Sequence, residues 1–110
     1  MIIGDGELPG AGGGDEANLE FRPEHTFENG AIYKGQWLGN LRHGFGVQIW
    51  PDGAKYEGRW RWNKADGKGI FWHADGDVFD GDWKEDKAHG FGTYTHVNGS
   101  KYEGQWINDL

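Results

Sequence analysis

Apolar and polar positions alternate in short runs along most of this chain. In Tyr33-Lys34-Gly35-Gln36-Trp37 an aromatic, a glycine and a tryptophan take every second place, with polar residues between them. Period two predicts a strand with one apolar face. The run returns as Tyr56-Glu57-Gly58-Arg59-Trp60, Phe79-Asp80-Gly81-Asp82-Trp83 and Tyr102-Glu103-Gly104-Gln105-Trp106, a step of 23 residues each time. A fixed step of this length marks a repeat architecture.

A second strand is expected inside each repeat, opening at Gly44-Phe45-Gly46, Gly67-Lys68-Gly69 and Gly90-Phe91-Gly92. A loop carrying Asn40, Asn63 or Asp86 precedes it, and these residue types suit turns. Asp52-Gly53, Asp75-Gly76 and Asn98-Gly99 follow it, the strongest short hairpin signals. Each repeat therefore reads strand, loop, strand, turn, and consecutive hairpins make a meander. If Asp52-Gly53 is a two-residue turn, Ile49 faces Tyr56, Val47 faces Gly58 and Phe45 faces Trp60. The same register sets Trp72 against Phe79, Lys68 against Trp83 and Phe91 against Trp106. One aromatic face results, with glycines beneath its rings, while Lys34, Gln36, Glu57, Arg59, Asp80, Asp82, Glu103 and Gln105 line a wet face. A three-residue loop with a bulge moves every assignment to the other face. The apolar face needs cover from twist and aromatic self-packing, a second chain or a ligand.

Upstream, Asn29-Gly30 lies one step before Asp52-Gly53, so Thr26–Ile32 reads as the end of an earlier, decayed repeat. Phe21 and Pro23 take the places of its paired glycines. Glu24–Phe27 is expected to cap one end of the array, with Pro23 suited to a sheet edge. Residues 1–23 are rich in glycine and acid, which predicts a disordered tail.

Composition sharpens this picture. Glycine is 21 of 110 residues, about three times its usual share, and tryptophan is 7. Leu, Ile and Val are scarce, so the apolar content suits a layer more than a closed core. Cysteine is absent, which excludes disulfides, thiolate metal sites and thiol nucleophiles. No apolar run of ~18 residues occurs, and the N-terminus lacks the features of a signal peptide or a myristoylation site. A cytoplasmic setting is the expectation. The net charge of −7 sits mainly in residues 1–32, which hold seven carboxylates and one base. The repeats lack the basic domain or stripe of a nucleic-acid binder, so nucleic acid is not expected as a partner.

The recurring Tyr-x-Gly-x-Trp, Asn/Asp, His-Gly-Phe-Gly, Asp-Gly, Tyr-Glu-Gly pattern resembles the MORN repeat (membrane occupation and recognition nexus). Tyr33–Lys55, Tyr56–Val78 and Phe79–Lys101 look like full repeats, and Tyr102–Leu110 like the first third of another. Phe79 stands for Tyr, Asp66 for the His seen at His43 and His89, and Lys68 for the Phe seen at Phe45 and Phe91. The resemblance implies an all-β fold: an elongated, single-layer, twisted antiparallel meander of β-hairpins over residues 24–110. It also implies a scaffold that tethers proteins at the cytoskeleton, cilia or membrane periphery, often by self-association. Alternatives are a phosphoinositide-binding module, or a regulatory segment of a larger enzyme such as a lipid kinase.

The aromatic face expected to meet a partner comprises Tyr33, Trp37, Phe45, Tyr56, Trp60, Trp72, Phe79, Trp83, Phe91, Tyr102 and Trp106. Gly35, Gly44, Gly46, Gly58, Gly67, Gly69, Gly81, Gly90, Gly92 and Gly104 are expected to be structural. A lipid headgroup would find Arg59, Arg61, Lys64 and Lys68. Free sheet edges offer a second means of pairing.

Chemistry is sparse by comparison. His43 and His89 share one repeat place, and His73 and His96 another. Equivalent places lie ~9.6 Å apart, two strand spacings, too far to ligate one ion. Asp75, Asp77, Asp80 and Asp82 break the EF-hand pattern at its fifth position. No phosphate-binding glycine loop occurs, and the sequon Asn98-Gly99-Ser100 lies on a turn without a secretory signal. Potential catalytic groups recur as lattice positions where a catalytic residue would be unique. The expectation is a non-enzyme without metal or cofactor.

Overall fold

The structure is a computed structural model that describes residues 19–109. Nine strands form one sheet: β1 (Glu20–Phe21), β2 (His25–Thr26), β3 (Ile32–Leu38), β4 (Leu41–Ile49), β5 (Lys55–Arg61), β6 (Lys64–Trp72), β7 (Val78–Lys84), β8 (Lys87–Thr95) and β9 (Lys101–Trp106). From β3 to β9 each strand pairs antiparallel with the next, while β1 and β2 share the outer edge of β3. The fold is thus an all-β, open meander of hairpins. Its extents are 42 × 26 × 19 Å.

Most of the tail expected to be disordered lies outside the described residues. Glu20–Phe21, within that segment, instead pairs with Gln36 and Trp37. The cap expected at Glu24–Phe27 is the shorter strand His25–Thr26, joined to β3 through Glu28-Asn29-Gly30.

The two turn types are exchanged relative to expectation. The two-residue turns are those holding Asn or Asp. Leu38 pairs with Leu41, Arg61 with Lys64, and Lys84 with Lys87. Trp62 and Asn63 (φ 49° and 72°), like Glu85 and Asp86 (49° and 72°), take the two positive φ values of a type I′ turn. The Asx-Gly turns are three-residue loops. Trp50 N–H donates to the Ala54 carbonyl and Gly53 N–H to the Trp50 carbonyl, with Gly53 at φ 96°. Asp52 Oδ1 accepts from Ala54 N at 2.9 Å, closing an Asx turn that Asn29, Asp75 and Asn98 repeat.

That extra loop residue shifts the register by one, which corrects the expected faces. Tyr56 pairs with Gln48, Gly58 with Gly46, and Trp60 with Gly44. Phe45, Trp72 and Phe91 therefore leave the ring face for the opposite one, where they neighbour Arg59, Lys55 and Gln105. The ring face gains residues that the sequence reading had not placed there. Gln48, Phe71 and Tyr94 alternate with Tyr33, Tyr56, Phe79 and Tyr102 in one row across the strands. The next row is glycine throughout: Gly35, Gly46, Gly58, Gly69, Gly81, Gly92 and Gly104.

This glycine row makes a core possible without a second layer. The Tyr33 ring lies over Gly35 and Gly46, and Tyr56 over Gly58 and Gly69. A methyl group at Gly69 would occupy the space of the Tyr56 ring and hydroxyl. Tryptophans flank the row and meet the tyrosines edge to face, from Trp37 through Tyr33, Trp60, Tyr56 and Trp83. Phe79 and Trp106 continue the ladder. Trp60, Trp83 and Trp106 each donate Nε1–H to a carbonyl of the glycine row, at 3.1–3.2 Å. Aromatic self-packing is therefore the cover: Tyr33, Trp37, Tyr56, Trp60, Phe71, Phe79 and Trp83 are only 0–7 % exposed.

Candidate functional site

Three surfaces could carry function: the ring ladder, the opposite or outer face, and the edge formed by the type I′ turns. Six residues proposed to meet a partner, Tyr33, Trp37, Tyr56, Trp60, Phe79 and Trp83, are buried inside the ladder. Tyr33 and Tyr56 donate their hydroxyls to the carbonyls of Gln36 (2.7 Å) and Arg59 (2.9 Å). Burial pushes both phenols well above their ordinary range; Asp66 and Asp86 add to this at Tyr56, while Arg42 opposes it at Tyr33. Both hydroxyls stay protonated as structural donors. The accessible members of that set are Phe45, Phe91 and Tyr102, with Trp72 and Trp106 half-buried. Tyr102 is 52 % exposed because, among the described residues, no strand follows β9 to flank it.

Consecutive hairpins are locked at the I′ turns. The Asp86 amide donates to the Ala65 carbonyl, and Asp86 Oδ1 accepts from Ala65 N at 2.7 Å. Asp109 holds Ala88 in the same way. Asn63 keeps the backbone bond, but its Oδ1 accepts from Arg42 Nε at 2.6 Å. Arg42 is fully buried, reaches Gln48 Oε1 at 2.7 Å and lies over the Trp60 ring. This polar plug was not visible in the sequence, although Arg42 against Ala65 and Ala88, and Gln48 against Phe71 and Tyr94, are the exceptions that signal it. Asp66, which broke the His pattern, does the same work as His43. His43 Nδ1 accepts from Trp62 N and Asp66 Oδ2 from Glu85 N.

At the opposite rim, Asp77 collects the Tyr94 hydroxyl (2.8 Å), the Val97 amide (3.0 Å) and His96 Nδ1 (3.4 Å). The Tyr94 bond leads in holding the Asp77 carboxyl below its usual range. Tyr94 itself is pushed up to about 12, first by burial and then by Asp77. His73 is lowered by burial against the pull of Asp75 and Asp77. Its Nε2 has no hydrogen-bond partner among the described residues. No three His, Asp or Glu side chains converge as metal ligands do among the described residues.

The basic patch expected at Arg59, Arg61, Lys64 and Lys68 is divided. Arg61 and Lys64 line a cleft of about 610 Å³ between two I′ turns, joined there by Trp62, Lys84 and His89. Arg59 projects from the outer face beside Phe45, and Lys68 is paired with Asp82 at 2.6 Å.

A single-layer array of near-identical hairpins, sealed by its own rings, is a repeat protein whose units differ mainly in surface residues. The MORN repeat family model matches residues 33–55, 56–78, 79–101 and 102–110, and the chain belongs to that family. MORN repeats are generally protein- or membrane-binding modules and are typically non-catalytic. Comparison with curated proteins returns no match.

Proposed function

We propose that this chain is a non-catalytic scaffold that holds a protein partner, tethering it at the cytoskeleton, a cilium or the membrane periphery. One observation carries the reading. The ladder consumes its own rings, yet the rigid sheet still presents Phe45, Ile49 and Phe91, all exposed, on its other face. Exposed aromatic and aliphatic side chains on a preorganised surface are typical anchors for a partner. Cross-linking in cells followed by pull-down should lose the partner for Phe45→Ser with Phe91→Ser, at unchanged strand content. Undiminished recovery would remove the outer face from the function.

The turn-edge cleft supports a second reading, a membrane-surface contact. It gathers Arg61, Lys64 and Lys84, against Asp66 and Glu85, beside the half-exposed Trp62, and interfacial tryptophan with a net basic lining suits an anionic leaflet. Co-sedimentation with vesicles containing phosphoinositide, for wild type and Lys64→Glu with Lys84→Glu, decides it. Equal pelleting of the two proteins counts against the cleft.

A further inference from the structure

We propose that the outer edge of β3 docks an extended segment of another protein, which displaces residues 20–26 and adds as an antiparallel strand with the pattern Gly-x-Gly-x-aromatic. This adds a second contact surface to the scaffold reading, at residues that reading does not use. The segment now at that edge fits it poorly. In the register of β4 on β5, Trp37 would face Phe21, Gly35 would face Pro23 and Tyr33 would face His25. His25 and Thr26 keep that register, but Glu20 stands opposite Trp37, so β1 has slipped by one residue. Four residues of the segment pair with β3, against six of β4 with β5. Pro23 has no N–H to give to a ladder. Glu20, Phe21, Pro23, Glu24, His25 and Thr26 are all exposed. Beyond its ladder bonds, the segment is held by the Arg22 amide on the Gly35 carbonyl at 3.4 Å, the Arg22 guanidinium over the Trp37 ring and the His25 ring beside it.

Trp37 marks what is missing. Trp60, Trp83 and Trp106 donate Nε1–H to the carbonyls of Gly46, Gly69 and Gly92, each 14 positions earlier. The matching place for Trp37 is Pro23. Trp37 is 4 % exposed, and its Nε1 has no hydrogen-bond partner among the described residues. A buried donor left unpaired costs free energy that a well-placed acceptor returns. The same bonds set the partner's chemistry. Trp60 stands opposite Gly44 and reaches the Gly46 carbonyl, so its indole crosses a stretch that two glycines leave bare. A segment on β3 therefore needs glycine opposite Trp37 and opposite Gly35. It needs an aromatic opposite Tyr33, as Tyr94 stands opposite Tyr102. Once residues 20–26 leave, β3 presents a row of unpaired backbone groups, the setting of strand addition. β6 and β8 carry the required pattern but are flanked by strands on both sides, so a second copy has none to offer.

The probe is a labelled synthetic peptide with the sequence of residues 89–96, read by fluorescence polarisation against the full chain. The chain has no cysteine, and Phe21 stands opposite Gln36, so Phe21→Cys with Gln36→Cys makes a clasp that holds β1 on the edge when oxidised. The reduced clasp should bind the peptide at least ~tenfold more tightly than the oxidised one. The peptide carrying Gly92→Pro should bind wild type at least ~tenfold more weakly than the parent peptide. The Trp37 indole proton resonance, assigned with Trp37→Phe, should move downfield as peptide is added, because its hydrogen bond forms. Phe45→Ser with Phe91→Ser should bind the peptide as wild type does. Equal binding by the two clasp states, a Trp37 resonance that does not move, or no saturable binding up to millimolar peptide overturns the proposal. So does peptide binding lost with the outer-face pair, or sedimentation showing that a second copy occupies the edge. If the clasp makes no difference while Phe45→Ser with Phe91→Ser still loses the cellular partner, the scaffold stands and the edge site falls.

Discussion

Tyr56 has to act as core, lid and donor at once. Its ring covers Gly58 and Gly69, its edges meet Trp60 and Trp83, and its hydroxyl caps the Arg59 carbonyl. Phe79 keeps all of this except the donor, which separates the contributions. Tyr56→Phe should therefore fold and lose about 1 kcal/mol in urea unfolding, the worth of one hydrogen bond. Gly69→Ala should cost about 3 kcal/mol or unfold the chain, because the added methyl displaces the ring. Gly53→Ala meets no neighbouring atom and should cost only about 1 kcal/mol, from its positive φ. His73 sets a pH dependence. Burial lowers its folded pKa, so the unfolded chain binds the proton more readily. That contribution to stability should fall as pH drops below about 6.5 and level off below the depressed folded value. Urea midpoints of wild type and His73→Phe, compared between about pH 7.5 and about pH 5, isolate the effect; parallel curves would refute it.

The element that defines this protein is the hairpin with two unlike turns. Glu85 occupies the first place of a type I′ turn at φ 49°, where Asn or Gly is favoured. Glu85→Asn should raise stability by about 0.5–1 kcal/mol, read as a higher thermal midpoint. Asp86→Asn should be nearly neutral, as Asn63 already holds that conformation. Asp86→Ala should cost about 2–3 kcal/mol by leaving the buried Ala65 amide without its partner. These turns also show what the sequence could convey. Period-two alternation and the 23-residue step made strands, meander and repeat bounds legible. The register was not, because Asp-Gly serves two-residue and three-residue turns alike, and one added residue exchanges the faces. Phe45 and Phe91 therefore look like ladder residues in the sequence and stand outside it in the structure. Nothing beside Arg42 in the chain marks its burial, which depends on Asn63, 21 positions away.

At the scale of the molecule, each hairpin touches only its neighbours, so stability accumulates along one dimension. Deleting residues 56–78 in frame should leave a shorter array, with Asp86 meeting Arg42 in place of Asn63. Circular dichroism should keep its strand signature, and the urea m-value should fall with the surface lost. Complete loss of cooperative unfolding would show that the second full repeat is not interchangeable.

The strands lie across the long axis, so the hydrogen bonds between them run along it. Tension applied between the ends of the array then opens one strand pair after another, where a longitudinal strand would resist by shear. Each repeat released adds 23 residues, roughly 80 Å of extended chain. In the tethering role proposed above, the array would lengthen under load in steps of one repeat, and what it holds would be spared sudden force.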